Sequence, residues 1–321
     1  MKSAEGGDVV GIGEVMIRLA PDPGVRLENA RSLNVELGGT ECNVMVGLSG
    51  LGRSCAWISK LADNELGHMV HRRIMETGVD VSRVTWAGAR AGTYFVEFGV
   101  KPRPSKIIYD RKGSAASLMN PGEIDWDFLT SFKLVHLSGI TPALSSSCMG
   151  VVSEAISRAR ESGRLVSFDV NFRSRLWTAG RARRTLEELV RGCDVLFITR
   201  DDAMTVFGCG GNPEEILRDL SGRYGADVTV LTLGPEGAIA HRAGRFYADS
   251  GHEVEEIDRI GAGDAFDAGF LHGYLNGDIQ CAVEMGSAMA ALKHTVKGDF
   301  LNTTEDEVMD VVRGRAGGIR R

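Results

Sequence analysis

The chain has 321 residues, 43% hydrophobic and 25% charged, the balance of an ordinary globular protein. Its formal net charge of −6 argues against the broad basic face that nucleic-acid binding needs. No apolar run approaches the ~18 residues of a membrane span, and the polar start at Met1–Gly7 lacks the apolar core of a signal peptide. The six cysteines, at 42, 55, 148, 193, 209 and 281, form no C-x-x-C pair, so a zinc ribbon is unsupported and a reducing, cytoplasmic location is expected.

In chain order, 9–13 reads as a buried strand. Gly38 and Gly39 precede Thr40, a good N-cap, and a helix runs to about Leu51 with Gly52 as its stop. Asp63 is read as the cap of a second helix ending near Gly78. Stretches 93–98 and 106–109 read as antiparallel strands around a loop holding Pro102 and Pro104. They break the rhythm that follows and suggest a small extra sheet, laid over a binding rim as a lid. From 134 onward strands and helices alternate. Strands are expected at 134–137, 165–168, 195–198 and 228–231. Helices are expected at about 146–162, from 179, near 201–207 and at 213–224. This is the α/β pattern of a mostly parallel sheet covered by helices on both faces. No linker or repeat divides the chain, so 1–321 is read as one domain.

The strands run into polar or small residues: Ser138 and Gly139; Asp169, Asn171 and Arg173; Thr199 to Asp202; Thr232 and Gly234. Ligands of open α/β sheets bind beyond the carboxyl ends of the strands, so these segments converge on one rim. Polar residues that simply end strands explain any one of them, but fit the Asp-x-Asn-x-Arg cluster less well.

The sharpest local feature is Gly261-Ala262-Gly263-Asp264, opening an apolar helix. Glycines allow close backbone approach, and the first N–H groups of a helix can hold an anion. A carboxylate inside such a pocket suits a base for a hydroxyl beside a phosphate. That combination suggests phosphoryl transfer from a nucleotide to an alcohol. An ordinary helix start with a dipole-favoured acid would explain a lone G-x-G-D. There is no G-x-x-x-x-G-K-[ST], no complete dinucleotide fingerprint and no H-E-x-x-H, so a P-loop is excluded and a Rossmann dehydrogenase is weakly supported.

The run from Ile260 to Phe270 resembles the C-terminal signature of the ribokinase-like (PfkB) carbohydrate kinases. The resemblance covers nearly the whole chain. Gly11 to Glu14 resembles the first strand of the family. Gly38, Gly39 and Asn43 match its G-G-x-x-x-N signature, whose asparagine touches the sugar. Thr232, Gly234 and Gly237 resemble its nucleotide-side turn, though both glycines could be turn residues only. Three features resemble the 2-keto-3-deoxygluconate kinases within the family: Ile108 to Arg111 with Ser114 to Ser117, Phe168 to Arg173, and Lys297 to Asp299.

The resemblance implies a ribokinase-like fold with a β-sheet lid at about 14–38 and 90–114. It implies ATP and Mg2+, and phosphorylation of the C6 hydroxyl of the sugar acid. Asp264 would be the base, with the N–H groups of Gly261, Ala262 and Gly263 stabilising the phosphoryl oxygens. Gly38, Gly39, Asn43, Tyr94, Tyr109, Arg111, Asp169, Asn171, Arg173 and Asp299 would line the sugar. An arginine fork suits a substrate carboxylate, which points to Arg111 and Arg173; a solvated charge is the plain alternative for Arg111. Thr199, Thr232, Gly234, Gly237, Gly261 and Gly263 would face the nucleotide. Thr199 and Asp202 stand where the family commonly has Asn and Glu, which leaves Asp202 as a metal ligand, directly or through water. A homodimer through the lid is the oligomer implied. Another sugar kinase of the family, fructokinase-like, and a catalytically weak sugar-binding or regulatory protein remain open.

Overall fold

A computed structural model describes residues 6–315, so most of the polar start and the last six residues of the 1–321 range lie outside it. Eight strands form the main sheet, in the order Arg245–Asp249, Ala238–Arg242, Val228–Thr232, Val195–Thr199, Leu165–Asp169, Leu134–Ser138, Val9–Ile12 and Cys55–Ile58. The last six are parallel to one another. The first two form an antiparallel hairpin at the edge. The reason is local: Ala243 and Gly244 both take positive φ (48° and 79°), the two-residue turn that reverses a strand directly. Central strands such as Leu134–Ser138 are buried at every position, as a sheet covered on both faces demands.

One helical layer contains Thr40–Gly50, Ala262–Leu275 and Ile279–His294, packed with Trp57, Phe197 and Phe270. The other contains Ser146–Glu161, Ala179–Leu189 and Pro213–Tyr224, packed with Phe168 and Phe207. Helices Ala262–Leu275 and Ile279–His294 lie very close. A Cβ on Gly269 would stand 2.5 Å from the Met285 carbonyl oxygen, so only glycine allows that approach. Among the described residues no helix is long and apolar enough to cross a membrane.

Two helix starts differ from expectation. Gly39, with extended backbone, not Thr40, is the N-cap of Thr40–Gly50, and the Thr40 hydroxyl donates to Asp264 instead. Asn64, not Asp63, caps Glu65–Met75; its side chain accepts from the N–H groups of Leu66 and Gly67.

A second sheet has the order Asn34–Gly38, Met16–Ala20, Thr93–Glu97, Lys106–Asp110. Met16–Ala20 runs antiparallel to Asn34–Gly38 and parallel to Thr93–Glu97, and Lys106–Asp110 pairs antiparallel at the edge. Met16, Ala20, Tyr94 and Val96 form its buried face. A further small sheet pairs Lys60–Ala62 with Thr85–Ala87.

Buried side chains join the second sheet to the main body, with Arg18 at their centre. Arg18 donates from Nη2 to Asp258 (2.5 Å) and from Nη1 to Asp299 (2.6 Å). All three are almost fully buried, and the Phe98 ring lies 5.0 Å from the guanidinium. Buried charges are tolerated only when paired and hydrogen-bonded. Arg18→Met should therefore lower the unfolding free energy by about 3–5 kcal/mol, read by denaturant titration. A wild-type midpoint and slope would contradict this role.

Candidate active site

Asp264 is the third residue of helix Ala262–Leu275, whose N-cap Gly261 sits at φ 90°. A Cβ there would also stand 2.3 Å from the Asp299 carbonyl oxygen, so the turn requires glycine twice over. Gly263 is exposed, with nothing within 4 Å of its Cβ direction. The N–H groups of Gly261, Gly263 and Asp264 have no partner among the described residues. The N–H of Ala262 differs from expectation: it donates to the Arg259 carbonyl at 3.3 Å. The turn thus presents open N–H groups on both sides of Ala262, donors that could hold an anion.

The Asp264 carboxylate is held from the first turn of Thr40–Gly50. Thr40 Oγ1 donates to Oδ1, and Asn43 Nδ2 donates to Oδ2 at 2.5 Å. Asn43 Oδ1 in turn accepts from the Gly39 N–H at 3.1 Å. Asn171 Nδ2 donates to Thr40 Oγ1 (2.9 Å) and to Asp169 Oδ2 (2.7 Å), so one chain of hydrogen bonds runs from Asp264 to Asp169. Burial pushes the Asp264 carboxyl above the usual carboxylate range, against the pull of Thr40 and Asn43. Asp169 is pushed up to about 8, by burial first and then by the Asp264 and Asp202 charges. Behind them lie two further buried acids. Asp267 is pushed well up by burial and by Asp169 and Asp264, and its Oδ2 has no hydrogen-bond partner. Glu41 is raised to about 7 by burial, although Ser138 (2.8 Å) and Thr141 (2.7 Å) donate to it. A carboxylate with a raised pKa is the better proton acceptor near neutral pH.

Beside this cluster, Tyr109, Phe172, Arg173, Arg175 and Lys106 line a cavity of about 650 Å3 between the second sheet and the rim. The Arg173 guanidinium draws down the pKa values of Asp264, Asp169 and Asp202. Arg111 is differently placed. Its Nε (2.7 Å) and Nη2 donate to the buried Glu14, whose other oxygen accepts from Ser114, leaving Nη1 open. Tyr94 and Asp299 are buried against each other and against Arg18, with Asp299 raised to about 6 by burial. A Cβ on Gly38 would strike the Asp299 carboxylate at 2.1 Å, which packs this trio under the Gly38–Gly39 corner.

On the other flank, Thr199 and Thr232 are register partners at the carboxyl ends of adjacent strands. Gly237 takes φ 85° in the turn that follows Thr232 and Gly234. Thr199 caps helix Arg200–Phe207 by accepting from the Asp202 N–H at 3.0 Å, and Asp202 Oδ2 accepts from the Phe172 N–H at 3.2 Å. Among the described residues no three acidic, histidine or cysteine side chains cluster as a metal cage.

Sequence reasoning missed Glu14, Arg18, Thr40, Glu41 and Asp267 as members of this assembly. Thr40 had a signal, three residues before Asn43, but read as a cap. Arg18 had none, since its partners lie 240 and 281 positions away.

Residues 7–305 match the model of the pfkB family carbohydrate kinases. The chain is 40% identical to a 2-dehydro-3-deoxygalactonokinase of Haloferax volcanii, covering 98% of this chain and 99% of that one. It is 36% identical to a 2-dehydro-3-deoxygluconokinase of Thermoproteus tenax, over 91% of this chain and 89% of that one. The crystal structure of a 2-dehydro-3-deoxygluconokinase from Thermotoga maritima superposes with a TM-score of 0.92, at 32% identity, covering 96% of this chain and 99% of that one.

The raised Glu41 carboxyl makes a stability prediction. The unfolded chain releases this proton near the ordinary glutamate pKa, ~4.3. The folded protein keeps it to about pH 7, so stability falls as pH rises across that window. Glu41→Gln should remove on the order of 3 kcal/mol of this loss, measured by denaturation at pH 5 and pH 8. Equal pH slopes for both proteins would contradict the assignment.

Proposed function

From the membership of this chain in the pfkB family of carbohydrate kinases, we propose that it transfers the γ-phosphoryl group of ATP to the terminal C6 hydroxyl of a 2-keto-3-deoxy sugar acid, 2-keto-3-deoxygluconate or its galactonate epimer. The observation that carries this reading is Asp264, buried and oriented by Thr40 and Asn43, at the mouth of unpartnered N–H groups. Asp264 accepts the hydroxyl proton as the oxygen attacks phosphorus. The N–H groups of Gly261 and Gly263 stabilise the equatorial oxygens as charge builds on them. Such base catalysis contributes typically ~10²–10⁴-fold.

The sugar acid would lie in the cavity of Tyr109 and Arg173, with Asn43, Asn171 and the Gly38–Gly39 backbone on its inner side. Arg173, and the open Nη1 of Arg111, supply the donors for its carboxylate. Asp169 sits one hydrogen bond from Asn171 and shapes the field around the base. Tyr94 and Asp299 act from behind, by packing the corner at Gly38. The adenine nucleotide would lie along Thr199, Thr232, Gly234 and Gly237, with its terminal phosphate at Gly261–Gly263. The second sheet closes over the sugar and excludes water, which limits ATP hydrolysis.

Magnesium fits the donors present. Mg2+ keeps several waters and needs only one or two carboxylates beside substrate phosphates, and Asp202 with Thr199 supplies oxygens on that flank. Bound there, it would neutralise charge on the nucleotide phosphates. All six cysteines are free and five are buried, which supports a reducing cytoplasmic location. The edge strand Lys106–Asp110, with Ile108 55% exposed, supports a homodimer through the second sheet.

A sugar panel with ADP detection tests the substrate. Turnover should be highest on 2-keto-3-deoxy sugar acids and low on fructose and other neutral sugars; preference for a neutral sugar would make this another kinase of the family. Sugar binding without ATP consumption would mark a regulatory protein. Asp264→Asn should lower kcat by at least ~10²-fold while sugar binding persists, and wild-type turnover in that variant would overturn the mechanism.

A further inference from the structure

Lys293 is fully buried near the end of helix Ile279–His294, an expensive position for an ammonium group unless it is hydrogen-bonded and balanced by charge. Its Nζ donates to two backbone carbonyls, Asp258 at 3.1 Å and Val296 at 3.2 Å. Burial pulls its pKa down, while the Asp258 and Asp299 carboxylates pull it up. Arg18 pairs with the same two carboxylates. Two buried cations thus face two buried anions.

The two carbonyls belong to the loops that grip the Gly261 turn. In the first loop, Asp258 Oδ1 accepts from the Ile260 N–H at 3.1 Å, one residue before Gly261. In the second, the Gly298 N–H donates to Asp258 Oδ2 at 3.1 Å, and the next carbonyl, of Asp299, is the one that closes on Gly261. Lys293 is therefore one tie between the loops, beside the Gly298 N–H on Asp258 and the Ile257 and Asp258 N–H groups on the His294 carbonyl. With no solvent exposure it cannot touch a sugar or a nucleotide.

We infer that Lys293 is a positioning residue for phosphoryl transfer: by tying residues 256–260 to 295–299 it fixes the direction of the Gly261 and Gly263 N–H groups. The inference rests on the proposed reading of that turn as the pocket for the transferring phosphoryl group. Without the ammonium, the buried Asp258 carbonyl and the half-buried Val296 carbonyl lose this donor, and Arg18 alone pairs with both carboxylates. A misplacement of ~1 Å at a reacting group costs on the order of 10²-fold in rate. The loss falls on kcat, because the sugar-side contacts of Asn43 and Arg173 lie on other elements.

The test compares wild type, Lys293→Met, Lys293→Ala and Lys293→Arg for kcat, KM and Tm, with and without added methylammonium or ethylammonium. Lys293→Met should lose roughly 10²-fold in kcat with the sugar KM changed by less than about threefold. Lys293→Ala, which leaves room for an amine, should recover kcat at least about tenfold when one is added, while wild type does not respond. Lys293→Arg keeps the cation but not its point geometry; it is expected to fold, with reduced kcat. Wild-type kcat in folded Lys293→Met, or in folded Lys293→Arg, overturns the inference. So does a loss in Lys293→Ala that no amine restores. Wild-type protein inactive on every sugar acid refutes the functional reading itself; active wild type with unaffected variants refutes this inference alone.

Discussion

The contact on which the arrangement depends is the Arg18 guanidinium held between Asp258 and Asp299. It joins the second sheet to the two loops that shape the Gly261 turn, and it does so out of water. An ion pair on the surface would be weak and easily exchanged. A buried one cannot be left half made, because either partner alone is an uncompensated charge. The second sheet is therefore tied to the Gly261 turn through the strand Met16–Ala20, while its edge strand Lys106–Asp110 lines the cavity beside Arg173. The cavity wall and the Gly261 turn share this buried anchor.

The same burial that makes the anchor rigid also tunes the acids. Asp264, Asp169, Asp267 and Glu41 crowd a region with few cations, and each is pushed above its ordinary range. Only Asp264 stands at the mouth of the anion pocket. Burial raises its pKa against the pull of Thr40, Asn43, Arg173 and Lys293, and Thr40 and Asn43 set its direction. The raised acids lower stability near neutral pH, and the burial of Asp264 supports the basicity that the proposed chemistry uses.

How much of this the sequence shows depends on the range of the interaction. The parallel strands and their helices are legible because burial on both faces produces short apolar runs separated by amphipathic segments. The edge hairpin at Ala243–Gly244 is a local turn that went unread, since a non-glycine at φ 48° leaves little trace in sequence. The Gly261–Asp264 pocket is legible because its chemistry lies within four residues. Arg18 and Glu14 are not, since each acquires meaning from partners far along the chain, and Lys293 is not, because its contact with Asp258 crosses 35 positions. Thr40 shows the intermediate case: a hydroxyl at a helix start reads as a cap until the structure gives it Asp264 instead.

The account turns on where the acceptor hydroxyl lies relative to Asp264. A crystal structure with a 2-keto-3-deoxy sugar acid and a non-hydrolysable ATP analogue measures that directly. The account predicts the terminal hydroxyl within roughly 2.6–3.2 Å of the Asp264 carboxylate, the γ-phosphate on the Gly261 and Gly263 N–H groups, and the sugar carboxylate toward Arg173. A sugar bound with its carboxylate at Asp264, or with no hydroxyl near it, would contradict the assignment of the base.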